Sequence, residues 1–270
     1  MARSRAEQYS QVAAAQVPKA TAPKPLGPKL AIDFGRYHAL VIGNNNYVRV
    51  RKLETALSDA VAVSEALKRL YGFEVELLLD ATRYDILKSL SKLRARLTER
   101  DNLLIYYAGH GVIDNETNEG YWLPVDAEPD IVANWISTAT LTTMVKAMSA
   151  RHVIMVADSC YSGTLVRTAP ANLRTGAERS AWLERMSRKR SRTAITSGGL
   201  EPVMDRGGGD NSVFAKAFLD ALYENSEVVD AQSLFATIQR RVVVNSDQTP
   251  EYADIRGAGH DGGDFLFVRR

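Results

Sequence analysis

Two residues in this chain have the types and setting for nucleophilic chemistry. Cys160 is the only cysteine, and it follows the run Val153-Ile154-Met155-Val156-Ala157 within Asp158-Ser159-Cys160-Tyr161-Ser162-Gly163. His110 ends a second such run, Leu103-Leu104-Ile105-Tyr106-Tyr107-Ala108-Gly109-His110-Gly111. Both runs are apolar, β-branched or aromatic and stop abruptly at small polar residues. That pattern predicts buried parallel strands, each delivering one side chain at its carboxyl end. In open α/β sheets, chemistry gathers outside those ends. Neighbouring strands would set an imidazole beside a thiol, the minimum for a cysteine nucleophile. A single cysteine at a strand end is often only a small buried hydrophobe; the conjunction with a histidine in the same kind of setting favours chemistry.

The elements expected to position this pair alternate along the chain. Strands are predicted at 37–43 (YHALVIG, followed by three asparagines), 73–79, 102–108, the Cys160 run, and 193–196, with Phe265-Leu266-Phe267-Val268 as the last. A short ribbon is expected at 121–125. Helices are read from apolar residues at helical spacing: Leu57, Ala60, Val61, Leu67 and Leu70; Ile86, Leu90, Leu93 and Leu97 behind a Thr82–Asp85 capping box; Leu141, Met144, Val145 and Met148; Phe214, Phe218 and Leu222; and Leu234, Phe235, Ile238 and Val242. This order predicts one doubly wound α/β domain, a mostly parallel six-stranded sheet with helices on both faces, spanning 35–270. Residues 1–34, rich in Pro, Ala and Lys, are expected to be a flexible leader. Residues 164–192 carry Arg167, Arg174, Arg179, Arg185, Arg188, Lys189, Arg190 and Arg192 against two acids, Glu178 and Glu184. They are expected to form a basic mobile loop, partly helical around 182–186.

Composition narrows the remaining classes. With 45% apolar and 24% charged residues, the chain is that of an ordinary globular protein. No apolar stretch approaches the roughly 20 residues needed to cross a bilayer, so no membrane partner is expected. A net charge of +2 and the lack of phosphate-loop or HExxH patterns give nucleic-acid, nucleotide and metal chemistry no support. One cysteine excludes an internal disulfide framework and suggests a reducing, cytoplasmic setting. Asp114, Glu116, Glu119, Asp126, Glu128 and Asp130 crowd the stretch after His110. Calcium is conceivable there, but no EF-hand spacing is present, and surface acids are the reading adopted, with no cofactor. His38, His152 and His260 are read as structural.

At HALVIGNNNY (38–47), YYAGHG (106–111), GYWLPVDA (120–127) and DSCYSG (158–163), the chain resembles the caspase-fold cysteine peptidases, especially the bacterial metacaspase-like (orthocaspase) and paracaspase branch. The fifty-residue interval between His110 and Cys160 belongs to that resemblance. It implies a cysteine endopeptidase with Cys160 as nucleophile and His110 as its proton-transfer partner. The backbone amides of Gly111 and Cys160 would serve the oxyanion. Asp59, Asp158 and Glu201 match positions where metacaspases and paracaspases place acids that bind a basic P1 side chain. Protein or peptide substrates with Arg or Lys at P1 are therefore the expected partners. Asp158 stands where animal caspases have a different residue before the cysteine, which bears on specificity. No third, orienting member of the dyad is visible in the sequence.

Two alternatives stay open: a catalytically silent caspase-fold adapter, and a dyad peptidase of legumain-like P1 preference. A peptidase that accepts Arg and Lys and carries a basic loop beside its own cleft is also expected to cut itself between Arg167 and Arg192, foremost at Arg188-Lys189-Arg190.

Overall fold

Eight residues, Arg36–Gly43, form strand β1, and all but Arg36 are buried. A continuous apolar run has no solvent face to present, so it must lie inside a sheet covered on both sides. The same holds for β3 (Asp101–Ala108) and β7 (His152–Asp158), buried along their whole lengths. In the computed structural model, which describes residues 32–114, 116–159, 176–198 and 209–270, these three strands are the centre of a six-stranded sheet. Its order is β10-β8-β7-β3-β1-β2, with β2 at Glu74–Leu79, β8 at Ser191–Thr196 and β10 at Glu251–Asp254. Only β10 runs antiparallel. The expected fold class is thus the one observed.

Side chains alternate between the two faces. Val41, Leu104, Tyr106, Ile154 and Val156 pack with α1 (Ala56–Tyr71), α5 (Val213–Glu224), α6 (Ala231–Asn245) and Leu183 and Met186 of α4 (Gly176–Arg188). Leu40, Ile42, Leu103, Ile105, Val153 and Met155 pack with α2 (Arg83–Arg96) and α3 (Thr138–Lys146). The Thr82–Asp85 capping box opens α2 as expected. After β3 the chain makes a small antiparallel sheet of β4 (Gly111–Asp114), β5 (Glu119–Trp122) and β6 (Ile136–Ser137), so the ribbon expected at 121–125 begins earlier. Three of the acids there bond locally. Asp114 accepts from the amides of Glu116 and Thr117, Glu119 from Thr138 and Ala139 at the start of α3, and Asp126 from the amide of Arg83.

Three expectations need correction. The C-terminal segment, β11 (Leu266–Val268), does not join the main sheet; it pairs with β9 (Val228–Asp230) in a ribbon of its own. The sixth strand is instead Glu251–Asp254, an edge strand whose short, half-polar sequence shows no apolar run. Packing begins before residue 35, since Ile32 and Phe34 lie against the core. The basic stretch is not one mobile loop either. Residues 164–175 lie outside the described residues, as do Cys160, Glu201 and 1–31, but 176–188 are helical and residues 191 and 192 are already in β8.

The end of that stretch is stitched to the fold. The Arg190 guanidinium donates to the carbonyls of Lys146 and Met148, its own carbonyl accepts from Asp261 and Gly263, and the Lys189 carbonyl lies 3.0 Å from His152 Nε2. Arg192 is fully buried, and its guanidinium donates five hydrogen bonds, all to carbonyls, of Val145, Met148, Ala150, Arg151 and Ser191. Burial pulls its pKa down to about 9, with Arg190 adding to the shift. His38, His152 and His260 are structural in the same sense. His38 meets Asp101, and burial holds the His152 imidazole at about 4, next to Asn102. His260 Nδ1 accepts from the Arg192 amide.

Arg192→Met should remove five hydrogen bonds from carbonyls around a buried side chain and lower stability by about 3 kcal/mol or more in urea denaturation. Limited trypsin digestion of the native protein should spare the bonds after Arg188, Lys189 and Arg190, because a protease needs an extended, released backbone. Early cleavage there would show that this stretch opens readily.

Candidate active site

Growth of the sheet reverses between β1 and β3. From β1 the chain adds β2 on one side, then returns to add β3, β7 and β8 on the other. Loops leaving the carboxyl ends of β1 and β3 therefore diverge and open a crevice. His110 stands in that crevice, two residues past β3. Gly109, between them, has no room for a side chain: a Cβ there would lie 2.7 Å from the Tyr107 hydroxyl and 2.8 Å from that of Tyr47. These two tyrosines are the reason for the glycine.

Those tyrosines hold the histidine. The His110 amide donates to the Tyr47 hydroxyl at 2.7 Å, and the Tyr107 hydroxyl donates to the His110 carbonyl at 2.8 Å. The Tyr47 and His110 rings lie 4.7 Å apart. Tyr47 also donates to the carbonyl of Leu123. Burial raises the pKa of both tyrosines, so they remain neutral donors.

The imidazole itself is oriented by a backbone atom. His110 Nε2 lies 2.7 Å from the carbonyl oxygen of Arg51, in the loop that follows β1. A carbonyl can only accept, so in the neutral ring Nε2 carries the hydrogen and Nδ1 the lone pair. This is the orienting group that the sequence did not reveal, and no side-chain pattern could have revealed it. Tyr47 was within reach of sequence reading, as the last residue of the HALVIGNNNY run. Its loop rests on a small separate core of Tyr47, Leu123 and Ala127, with Val50, Leu53, Val112 and Trp135 against it.

The thiol side of the crevice is described up to Ser159. β7 lies beside β3 in register, with Ala108 opposite Asp158, and the Gly109 amide donates to the Asp158 carbonyl. Cys160, and with it one of the two expected oxyanion amides, lies outside the described residues. Gly111, the other, opens β4.

Two of the three expected pocket acids come together. Asp158 ends β7 and Asp59 lies in the first turn of α1. Both are buried, with 4% and 1% exposure. Burial drives the Asp59 pKa well up, and the neighbouring Asp158 charge drives it further. Asn211 Nδ2 and the Ser212 amide donate to Asp59 Oδ1, at 2.7 and 3.1 Å, and the Ser212 hydroxyl donates to Asp158 Oδ2 at 2.5 Å. Ser212 is also the N-cap of α5. The Tyr106 hydroxyl is buried beside both carboxylates. Sequence reading missed Asn211 and Ser212; the only signal was a Ser before the apolar period of α5. Glu201 lies outside the described residues.

Comparison with known proteins adds three findings. The caspase-domain family profile matches residues 36–256. Human mucosa-associated lymphoid tissue lymphoma translocation protein 1 is 38% identical over 89 residues, covering 33% of this chain and 10% of that protein. Metacaspase-1A of Neurospora crassa is 27% identical over 164 residues, covering 54% of this chain and 36% of that protein. The chain thus spans a minor share of the curated relatives it matches. The crystal structure of protein GSU0716 from Geobacter sulfurreducens shares the fold, with a TM-score of 0.58 at 19% identity, over 81% of this chain and 94% of that one.

The buried acid pair carries a sign for stability. An acid whose folded-state pKa lies above its unfolded value holds its proton more tightly when folded. Its contribution is therefore greatest at low pH and declines as pH rises from the ordinary carboxylate range through the raised value. Asp158→Asn keeps an acceptor for Ser212 and removes the neighbouring charge. It should lower the Asp59 pKa, read by carboxyl-carbon NMR, and stabilise the protein at pH 7 by roughly 1 kcal/mol, a rise of about 2–4 °C in Tm. A lower Tm at pH 7 would show that the pair is not in electrostatic conflict.

Proposed function

Because the chain belongs to the caspase-domain family, we propose that it is a cysteine endopeptidase that cleaves after Arg or Lys. The observation that supports the catalytic half is the His110 ring, with its Nε2–H held on the Arg51 carbonyl and its basic nitrogen turned the other way. In the proposed reaction, His110 Nδ1 takes the Cys160 thiol proton, and the thiolate attacks the scissile carbonyl carbon. The tetrahedral oxyanion is met by backbone amides, those of Gly111 and Cys160 being the assigned donors. Collapse expels the amine, which takes the proton from the imidazolium and leaves a thioester. A water molecule, deprotonated by His110, then attacks the thioester, and the thiolate leaves. No cofactor enters these steps, and the free thiol they need suits a reducing, cytoplasmic compartment.

The basic P1 preference is supported by the Asp59–Asp158 pair. Two buried carboxylates at one place are unfavourable until a cation joins them, and a guanidinium can do so bidentately. Glu201 is assigned as a third, weaker contributor. Binding of a P1 cation should ionise the pair and release a proton. Self-cleavage, if it accompanies this activity, is left with Arg167 and Arg174, both outside the described residues, since the Arg188–Arg190 backbone is held. One observation favours a second reading, a silent adapter: one oxygen of each acid is already engaged within the chain, by Asn211 and Ser212.

A fluorogenic P1 panel on purified protein tests both readings. The wild type should hydrolyse Arg and Lys substrates, and Cys160→Ala and His110→Ala should each lose activity by about 10²-fold or more. Asp158→Ala and Asp59→Ala should reduce kcat/KM for these substrates by about 10²-fold, and Glu201→Ala by less. The acid limb of kcat/KM for P1 Arg should lie above the ordinary carboxylate range, following the raised Asp59 pKa. Preference for Asn or Asp at P1 would reject the acidic pocket, and inactivity on every peptide would favour the adapter.

A further inference from the structure

Asp80 follows β2 directly and has a left-handed backbone, φ 52°, although it is not a glycine. Such a conformation is disfavoured by roughly 1 kcal/mol for an L-residue, so something in the surroundings sustains it. Its amide donates to the Gly43 carbonyl at 2.8 Å, which locks the end of β2 to the end of β1. Its carboxylate then reaches into the loop leaving β1. Oδ1 accepts from two successive backbone amides, those of Asn45 and Asn46, both at 2.9 Å, and Oδ2 accepts from Asn46 Nδ2 at 2.7 Å.

Asn45 in turn closes that loop on itself. Its side chain accepts from the Leu57 amide in the first turn of α1 and donates to the Glu54 carbonyl, while its own carbonyl accepts from Leu53. Fixing Asn45 therefore fixes both ends of residues 45–57. Within this clamped segment lie the two groups that hold His110, the Tyr47 hydroxyl on its amide and the Arg51 carbonyl on Nε2.

We infer that Asp80 is a positioning residue for His110, acting through the clamped loop 45–57 on the direction of the imidazole. The inference rests on the peptidase reading for its catalytic consequence. Its structural half, the orientation of the ring, stands apart from it. The carboxylate touches no reacting atom. A shift of the Arg51 carbonyl by a fraction of an ångström would free the ring to rotate or to exchange its tautomer, and Nδ1 would no longer be held as the base.

Glycine accepts a positive φ without strain, so Asp80→Gly removes the carboxylate while relieving the backbone. Asparagine tolerates the left-handed region and keeps an acceptor oxygen for the two amides, and Asn46 can turn its own amide to match. Asp80→Gly should fold with a Tm near that of the wild type, lose kcat by about 10-fold or more with little change in KM, and shift the His110-dependent limb of the pH profile. Asp80→Asn should stay within about threefold of the wild type. Long-range ¹H–¹⁵N NMR of the His110 ring, without substrate, should show the Nε2–H form in the wild type and Asp80→Asn, and a mixture of tautomers in Asp80→Gly. Wild-type kcat, pH profile and tautomer in Asp80→Gly would overturn the inference, as would an Asp80→Asn variant impaired as severely as Asp80→Gly. If the wild type hydrolyses no peptide, the peptidase reading fails, and the tautomer measurement alone decides the role of Asp80.

Discussion

A sheet buried on both faces leaves its polar and reactive groups only two places to go, its ends and its edges. Strands β1, β3 and β7 are closed to water over almost their whole lengths, so the chain can present functional groups only where the strands stop. The reversal of sheet growth between β1 and β3 makes one of those ends a crevice, because the two outgoing loops part there. His110 on one lip and the Arg51 carbonyl on the other then meet across it at 2.7 Å. Every other feature of the site is arranged around that meeting: the tyrosines that grip the histidine backbone, the glycine that lets them approach, and the small core beneath the loop.

The acid pair illustrates a different balance. Asp59 and Asp158 are placed by buried elements of the fold, the first turn of α1 and the end of β7, where burial makes ionisation of Asp59 unfavourable. Asn211 and Ser212, at the start of α5, offset part of that penalty with donors aimed at both carboxylates. Two carboxylates held together in this way lower the stability of the protein at neutral pH. Ser212 links this to the scaffold, because the same hydroxyl that meets Asp158 accepts from the Ala215 amide and caps the helix.

Long-range order is carried by hydrogen bonds to backbone more than by ion pairs. Arg192 makes five such bonds to carbonyls where the chain leaves α3 and enters β7 and β8. The surface pairs, such as Arg188 with Glu184 or Lys216 with Asp220, join residues four apart on exposed helices and contribute little. Burying a guanidinium is tolerable because its five donors in one plane find five acceptors, so no N–H of the fork is left unpaired.

The fold class, the central strands, most of the helices, and the places of His110 and Asp158 at strand ends could be read from the sequence. These are legible because burial imposes a period on side chains, continuous in inner strands and about 3.6 in helices, and caps such as Thr82–Asp85 are local. Only the tertiary structure decided the edge strand Glu251–Asp254, whose few residues carry no period, and the separate ribbon of Leu266–Val268. It decided that Arg192 is buried, against every compositional sign of a solvated basic loop, because carbonyls from residues more than forty positions away converge on it. It also decided the orienting Arg51 carbonyl, the Asp80 clamp and the Asn211–Ser212 donors. A backbone oxygen has the same chemistry at every position, and a side chain's distant partner leaves no trace in its neighbours, so only the folded path brings such groups together.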